Sequence, residues 1–496
     1  MAFKITVVLA YIAMIVAIGI IGLKKTRSFT DFFLGGRDVG PWLTAFTYGT
    51  AYFSAVLFIG FAGKIGWAFG LSAIWVAIGN TLIGTLGVWL ILGKRIKQET
   101  VSRGVHTMPE YLDSRYNSKF LKYYSAVAIF VFLIPYTAAV FMGLSYLFEA
   151  NFGLPYWAVL VFMGLFTAVY LVLGGYKSMT MVDFIFGMIM IIGVGVLLAS
   201  CIIKGNGISG IVSQLRAIDP RLVESVGPPG IWPLFSIIFL TSVAPFAMPQ
   251  LIQKFYAIRD DRSVKIGTIV STVFALIVTG TAYFTGSLTR IFLSPAQNPS
   301  AFTANGSPNF DSLMPELLTY AIPNSLSVII LLLMLSASMS TLAALVLISS
   351  STIVKDLYGG LAHERTTDRR SIFRFLSAGK RASDKRLIIL MRIMTGVFVL
   401  LSVILAFLRP SVIVTILSIS WGAVASVFLG PFIWGLLTKR AGKAGAIISS
   451  ICGLGTCLTL FFVWGGPRAS EAGAIGMMVS LGLGLLLVPF AKKEKA

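Results

Sequence analysis

The sequence predicts an all-α polytopic membrane protein of about thirteen transmembrane helices, with its N-terminus outside and its C-terminus inside. Three observations carry this. First, the 496 residues are 57% hydrophobic and only 12% charged, whereas a soluble domain averages about 25% charged. Second, apolar runs long enough to cross a bilayer recur from end to end, at about 5–23, 42–69, 71–93, 123–148, 155–175, 182–203, 231–251, 266–289, 324–353, 388–408, 411–437, 444–465 and 473–491. Third, of forty Lys and Arg, thirty-one fall in loops on one side of this map, seven on the other, and Lys64 and Arg392 within spans. Positive loops stay inside, so the asymmetry sets the orientation and requires an odd number of spans.

The net charge of +21 is therefore a topology signal in short loops and excludes a nucleic-acid partner. The first run, Ile5 to Leu23, resembles a signal peptide in outline. It is long enough to span and ends in Lys24, Lys25 and Arg27 without a small-residue cleavage site, so it reads as a retained helix. Cys201, Cys452 and Cys457 all lie in apolar runs without metal-ligand spacing, and His106 and His363 lie far apart in loops. The inner loop 355–387 is basic, and outside loop residues Phe310 to Ala321 fit a short interfacial helix.

Two spans are interrupted. The stretch Thr44–Gly70 is apolar but carries Gly49, Thr50, Ser54, Gly60 and Gly63, with hydroxyls of Tyr48 and Tyr52 at mid-depth. These residues fit a close helix contact or an unwound turn. Span 7 contains Pro245 and Pro249, which remove two donors from the helical ladder. The two interruptions are five spans apart, in corresponding positions of two five-helix halves, and an odd offset inserts the second half upside down. The expected organisation is a first helix and loop (1–40), a first inverted repeat (41–204), a second (205–440) and two accessory helices with a basic tail (441–496). Binding sites in such folds sit between broken helices near the bilayer midplane.

Polar groups within spans are sparse and so informative. Asp183, at the start of span 6, is expected near the inner interface and on a cation exit path. Lys64, about ten residues past Ser54 and so ~15 Å along the helix, is expected at the outer mouth. Span 9 holds Ser336, Ser338, Ser340, Thr341 and Ser349 to Thr352. Ala337, Ser340 and Thr341 share a helix face. Such hydroxyls can satisfy themselves on the preceding turn. With carbonyls from a broken span 2 they would also supply the five or so oxygens a hard monovalent cation needs.

Four motifs give a resemblance to the sodium/solute symporter family. They are Asp31-Phe32-Phe33-Leu34-Gly35-Gly36-Arg37, Thr107-Met108-Pro109-Glu110-Tyr111, Gly174-Gly175 with Asp183 and Gly187, and Met339-Ser340-Thr341 with Asp356-Leu357-Tyr358. The resemblance covers residues 1 to about 465. It implies a LeuT-type core of 5+5 helices, alternating access, and one sodium held by the carbonyls of Thr50, Phe53 and Ala337 and the hydroxyls of Ser340 and Thr341. Some relatives resemble two-sodium carriers with paired serines one turn beyond Ser340; this chain has Ala343 and Ala344 there, so one sodium per solute is expected. The chain departs from the family's proline pattern at Tyr52, Val56, Pro245 and Met248, and from its sugar pattern at Leu57. The residues expected to face the solute are Tyr48, Tyr52, Ser54, Leu57, Tyr136, Phe246 and Gln250.

The expected activity is sodium-coupled import of a small organic solute, an amino acid or monocarboxylate, across the plasma membrane. A proton-coupled carrier predicts an even span count and intramembrane acid or histidine relays. A sodium symporter for a vitamin or sugar acid differs only in its pocket, and a transporter-like sensor would act through a partner. An enzyme needs a mid-membrane nucleophile, metal ligands or an acid pair, and the spans supply none. The expected partners are the solute, Na+ and the lipid bilayer.

Overall fold

The computed structural model describes residues 2–25, 33–359 and 380–490. Asp31 and Phe32 of the first motif, most of the basic loop 355–387 and the lysines of the C-terminal tail lie outside the described residues. In chain order the principal helices are α1 (Ala2–Lys25), α2 (Pro41–Tyr52), α3 (Gly63–Phe69), α4 (Ile74–Thr81), α5 (Lys119–Phe152), α6 (Tyr156–Lys204), α7 (Ile231–Val243), α8 (Pro249–Tyr256), α9 (Asp261–Ser287), α10 (Phe310–Ala321), α11 (Ser327–Ser351), α12 (Lys380–Leu408), α13 (Ile413–Leu437), α14 (Lys443–Trp464) and α15 (Ala469–Leu487).

Each of the thirteen apolar segments falls on helix. Among the described residues, eleven helical runs are long and apolar enough to cross a membrane. The difference from thirteen has two sources. Segments 2 and 3 share one run, Leu57–Ser102, which begins only after the break in segment 2, and segment 5 contributes the shorter apolar stretch Tyr156–Val169. Within α6 the chain turns at Gly175, whose φ of 61° and ψ of −171° are open to glycine and costly for any other residue. One sequence glycine thus separates two predicted spans.

Both expected interruptions are present. α2 ends at Tyr52, Phe53 leaves the helical region with φ −105° and ψ 88°, and helix resumes at Ala55 before the π-helical turn Leu57–Ala62. α7 ends at Val243, Ala244–Phe246 tighten into a 3₁₀ turn, and Met248 is extended before α8. Pro245 and Pro249 each sit at the first turn of the piece that follows, where a missing N–H costs nothing. Broken and π-wide turns free carbonyls that water cannot reach in a bilayer core. Here tyrosines serve them: Tyr48 Oη donates to Gly84 O at 2.9 Å and Tyr52 Oη to Thr241 O at 2.6 Å.

α11 is the axis of the bundle. From Leu333 to Ser351 every residue is buried, and it packs on α5, α6, α2 and α12. Its serines and threonines are therefore interior groups, although Ser350 and Thr352 do bond the preceding turn as isolated helical hydroxyls would. α13 is almost as enclosed, held between α5, α14 and α15. The predicted interfacial helix is α10, with the bounds expected, but it is packed into the fold through Leu313, Met314, Leu317 and Leu318.

Candidate functional site

The end of α2 and the middle of α11 meet in a cluster of oxygens. Ser340 Oγ donates to Thr50 Oγ1 at 2.8 Å. Thr341 Oγ1 lies 3.1 Å from Ala337 O, 3.3 Å from Thr50 O and 3.5 Å from Ala51 O. Thr50 Oγ1 in turn donates to Phe46 O at 2.8 Å. One hydroxyl proton on Thr341 thus faces three carbonyls. Oxygens converge in excess of the protons available to bridge them, which is the donor set of a small hard cation. The structure brings together four of the five expected ligand residues, Thr50, Ala337, Ser340 and Thr341. Phe53, the fifth, is the first residue past the end of α2, and Leu57 N donates to Ser54 O instead of reaching Phe53. The Ala51 carbonyl and the Thr50 hydroxyl were not foreseen, because the sequence gives no sign of where a frayed helix end directs its last carbonyls.

Asp183 is fully buried. Neither carboxylate oxygen has a hydrogen-bond partner among the described residues. The groups facing it are the Lys254 ammonium and the Ser340 and Thr47 hydroxyls. Lys254 belongs to the buried face of α8, at 1% exposure, although counting by hydropathy places it in the inner loop after span 7. The break at Ala247 and Met248 is followed by α8, which runs on to Tyr256 with every residue buried, Lys254 included.

A narrow cavity of about 30 Å³ opens beside the turn that follows Thr50 and Ala51. It is lined by the break itself (Tyr52, Phe53, Ser54, Leu57), by Phe61, Asn80, Tyr136, Thr241 and Tyr283, and by Leu417 and Trp421 of α13. Tyr52 stacks on Phe53 at 4.2 Å and on Trp421 at 6.0 Å, and Tyr136 meets Trp421 edge-on at 5.8 Å. The Tyr136 hydroxyl faces Ser54 and the Trp421 indole, and the Trp421 Nε1–H has no hydrogen-bond partner among the described residues. Of the expected solute residues, Tyr52, Ser54, Leu57 and Tyr136 line this cavity. Tyr48 lies behind it on Trp89 and Phe255. Phe246 packs toward Gly87. Gln250 is buried elsewhere on α8, with both amide atoms unpartnered. Asn80, Thr241, Tyr283 and Trp421 escaped sequence reasoning. Two carried a signal: Asn80 is an amide inside an apolar run, and Trp421 sits in mid-span and not at an interfacial belt.

Parts of three of the four family-like motifs meet elsewhere, around the 103–111 segment. Arg37 donates to Val105 O at 2.6 Å, Thr107 Oγ1 to Asp356 Oδ1 at 2.9 Å, and Lys355 Nζ to Glu110 Oε2 at 2.9 Å. Burial alone would raise the Glu110 carboxyl, but His106 and Lys355 outweigh it and hold it well below the usual carboxylate range. These contacts tie the 103–111 segment to the end of the helix that carries Ser340 and Thr341.

At the other end, Lys64 is half-buried. Its ammonium lies 5.7 Å from the Phe310 ring centroid and close to Asp311. The Asp311 carboxylate accepts from Ile413 N at 3.1 and 3.2 Å, anchoring α10 to the start of α13. Burial raises the Asp311 carboxyl to about 6, against the pull of the Ile413 N–H and Lys64. A carboxyl with a raised folded-state pKa contributes stability that is full below its unfolded value and is lost as pH rises through the folded one. The docked α10 should therefore be tightest near pH 4 and loosen through pH 6, by up to about 3 kcal/mol. Thermal unfolding of the purified protein should show this slope between pH 4 and 6, and Asp311→Asn should flatten it. An unchanged slope in that variant would assign the dependence to another group.

The fold and these sites match known proteins along nearly the whole chain. The model of the sodium:solute symporter family matches residues 32–453. The osmoregulated proline transporter of Bacillus subtilis is 27% identical over 456 residues, covering 90% of this chain and 86% of that protein. The sodium/pantothenate symporter of Escherichia coli is 28% identical over 456 residues, covering 90% and 87%. The solved structure of a Na+-coupled sialic acid symporter, substrate-bound and outward-open, superposes with a TM-score of 0.80 at 18% identity over 99% of both chains. A transporter of the nucleobase-cation-symport-1 family in a closed conformation gives 0.54 at 11% identity over 92% of both. The architecture is thus LeuT-like, the chain is a multi-pass membrane protein, and it belongs to the sodium:solute symporter family.

Proposed function

We propose that the chain imports an amino acid or a similarly small monocarboxylate, one sodium ion accompanying each solute, by alternating access across the plasma membrane. As a sodium:solute symporter it is a carrier, and the reading adds which residues do the work. Thr50, Phe53, Ala337, Ser340 and Thr341 hold the ion, joined by the Ala51 carbonyl. Tyr52, Ser54, Leu57 and Tyr136 hold the solute with Asn80, Thr241, Tyr283 and Trp421. Tyr48 and Phe246 support that pocket from behind, and Gln250 is buried on α8. Asp183 faces the sodium exit path, and Lys64 with Asp311 holds the outer end.

The observation that carries the reading is the shared break. Thr50 and Ala51 give carbonyls to the oxygen cluster, and Tyr52 to Ser54, the next residues, form the cavity wall. Sodium binding orders this turn and so shapes the solute site, which couples the two ligands through one short segment. The cavity is aromatic, with few polar groups, and narrow, at about 30 Å³. A site of that kind suits a compact solute with one polar end. The unpartnered Trp421 Nε1–H and the Asn80 amide are donors for a carboxylate. Relatives named for proline and pantothenate carry solutes of that chemistry.

The same reading completes the topology: thirteen spans, N-terminus outside, C-terminus inside, with inverted repeats over 41–204 and 205–440. The test is uptake into proteoliposomes. Labelled proline, pantothenate and short-chain monocarboxylates are offered under an inward sodium, potassium or proton gradient. Accumulation of at least one under sodium alone is the expected result. Uptake driven by protons and indifferent to sodium would refute the coupling.

A further inference from the structure

Two opposite charges are enclosed side by side in this protein, and the sodium cluster accounts for only one of them. Asp183 is wholly buried on α6 and neither oxygen is hydrogen-bonded among the described residues. Both Ser340, a member of the oxygen cluster, and Lys254 are near enough to act on it. Lys254 is equally enclosed. Its ammonium rests on the face of Tyr176, 5.1 Å from the ring centroid, and 3.9 Å from Met179 Sδ. These are soft contacts, one turn of α6 or so from the carboxylate, and they hold a cation near Asp183 without binding it tightly.

A buried carboxylate left alone would be a trap. In a low-dielectric interior a bare acid attracts any cation strongly, and a sodium ion leaving Ser340 and Thr341 toward it would stay. A transporter needs an ion site that empties. We propose that Lys254 is a tethered cation that competes with sodium for the field of Asp183. With sodium in the oxygen cluster, Lys254 is held off on Tyr176 and Met179. As sodium departs past Asp183, the ammonium closes on the carboxylate, so the acid is never left uncompensated and the ion is not recaptured. The same lysine gives the site its modest affinity. The inference rests on the sodium reading above and adds a residue whose charge, and not its size, sets how readily the ion is released.

Equilibrium binding of radiosodium to the purified full-length protein tests it without knowledge of the solute. Lys254→Met removes the charge and keeps most of the length of the side chain. It should bind radiosodium more tightly by about tenfold, the factor that about 1.4 kcal/mol supplies, and should release it more slowly on dilution. Lys254→Arg keeps the charge and should stay near wild type. Removing one partner of a buried charge pair can unfold a protein. The double variant Asp183→Asn/Lys254→Met leaves no net charge behind, and it should lose the gain in affinity. Wild-type affinity in Lys254→Met, equal change in the Met and Arg variants, or retained tight binding in the double variant would each overturn the proposal. If wild type itself bound no radiosodium that Ser340→Ala/Thr341→Ala abolishes, the sodium reading would fall, and this inference with it.

Discussion

Replacing Ser340 and Thr341 together by alanine should raise the sodium concentration for half-maximal uptake by about a hundredfold or more. The two hydroxyls belong to a set of oxygens assembled from two helices, and nothing nearby replaces them. Each hydrogen-bond-like contact to a charged group is worth roughly 1.5–3 kcal/mol. Two such losses exceed the 2.8 kcal/mol or so that corresponds to two decades in affinity. Unfolding is a poor competing explanation, because alanine is the best helix former and α11 gains no strain from it. Serine 338 is the matched control. It lies on the same helix, is fully buried, and its hydroxyl has no partner among the described residues. Ser338→Ala should leave sodium activation within about twofold of wild type, since deleting an unpaired buried polar group is close to neutral. Thr341→Ser keeps the oxygen and should retain most of the function. Sodium-activation curves in proteoliposomes decide it, and a double variant with a wild-type curve would move the ion site elsewhere.

The same cluster shows how far the sequence can be read. The shared face of Ala337, Ser340 and Thr341 follows from helical periodicity alone, and two prolines in span 7 were enough to expect a second break. Those signals are local. The partner across the core was identifiable only as a stretch, Thr44–Gly70, because a frayed end can direct any of three or four carbonyls. The structure selects Thr50 and Ala51 through Thr341. The solute cavity was half legible for the same reason. Tyr52, Ser54 and Leu57 lie on the break and Tyr136 faces it, whereas Asn80, Tyr283 and Trp421 come from three other helices whose rotation about their axes no hydropathy profile specifies. Lys254 was misplaced by one rule. Charge counting treats such a lysine as a solvated group at a span's end, and it fails where a polar partner, Asp183, makes burial tolerable. Such failures cluster at functional sites, where local rules are broken for a purpose.

A second large effect is expected where two helices cross with no side chain between them. Gly66 on α3 and Gly286 on α9 bring their backbones together. A Cβ at Gly66 would overlap the carbonyl carbon of Gly286 and the nitrogen of Ser287, and one at Gly286 would overlap the Ala62 carbonyl. Small residues at such crossings let membrane helices gain their packing and backbone contacts. Backbone cannot rotate aside as a flexible side chain can, so the helices must separate. Overpacking typically costs roughly 1–3 kcal/mol, and Gly286→Ala should fall at the upper end, with Gly286→Val beyond it. The outer half of the broken helix is held here, so separation would also loosen the turn that carries Thr50 to Leu57. Gly280 supplies the control on the same helix, since a Cβ there meets nothing within 4 Å. Gly280→Ala should be neutral or stabilising by up to about 1 kcal/mol, the ordinary gain in helix propensity. Thermal unfolding in detergent should therefore move the two alanine variants in opposite directions, with sodium affinity falling in Gly286→Ala alone. Equal melting temperatures for the two would mean that the crossing relaxes, and that its closeness does not hold the broken helix in place.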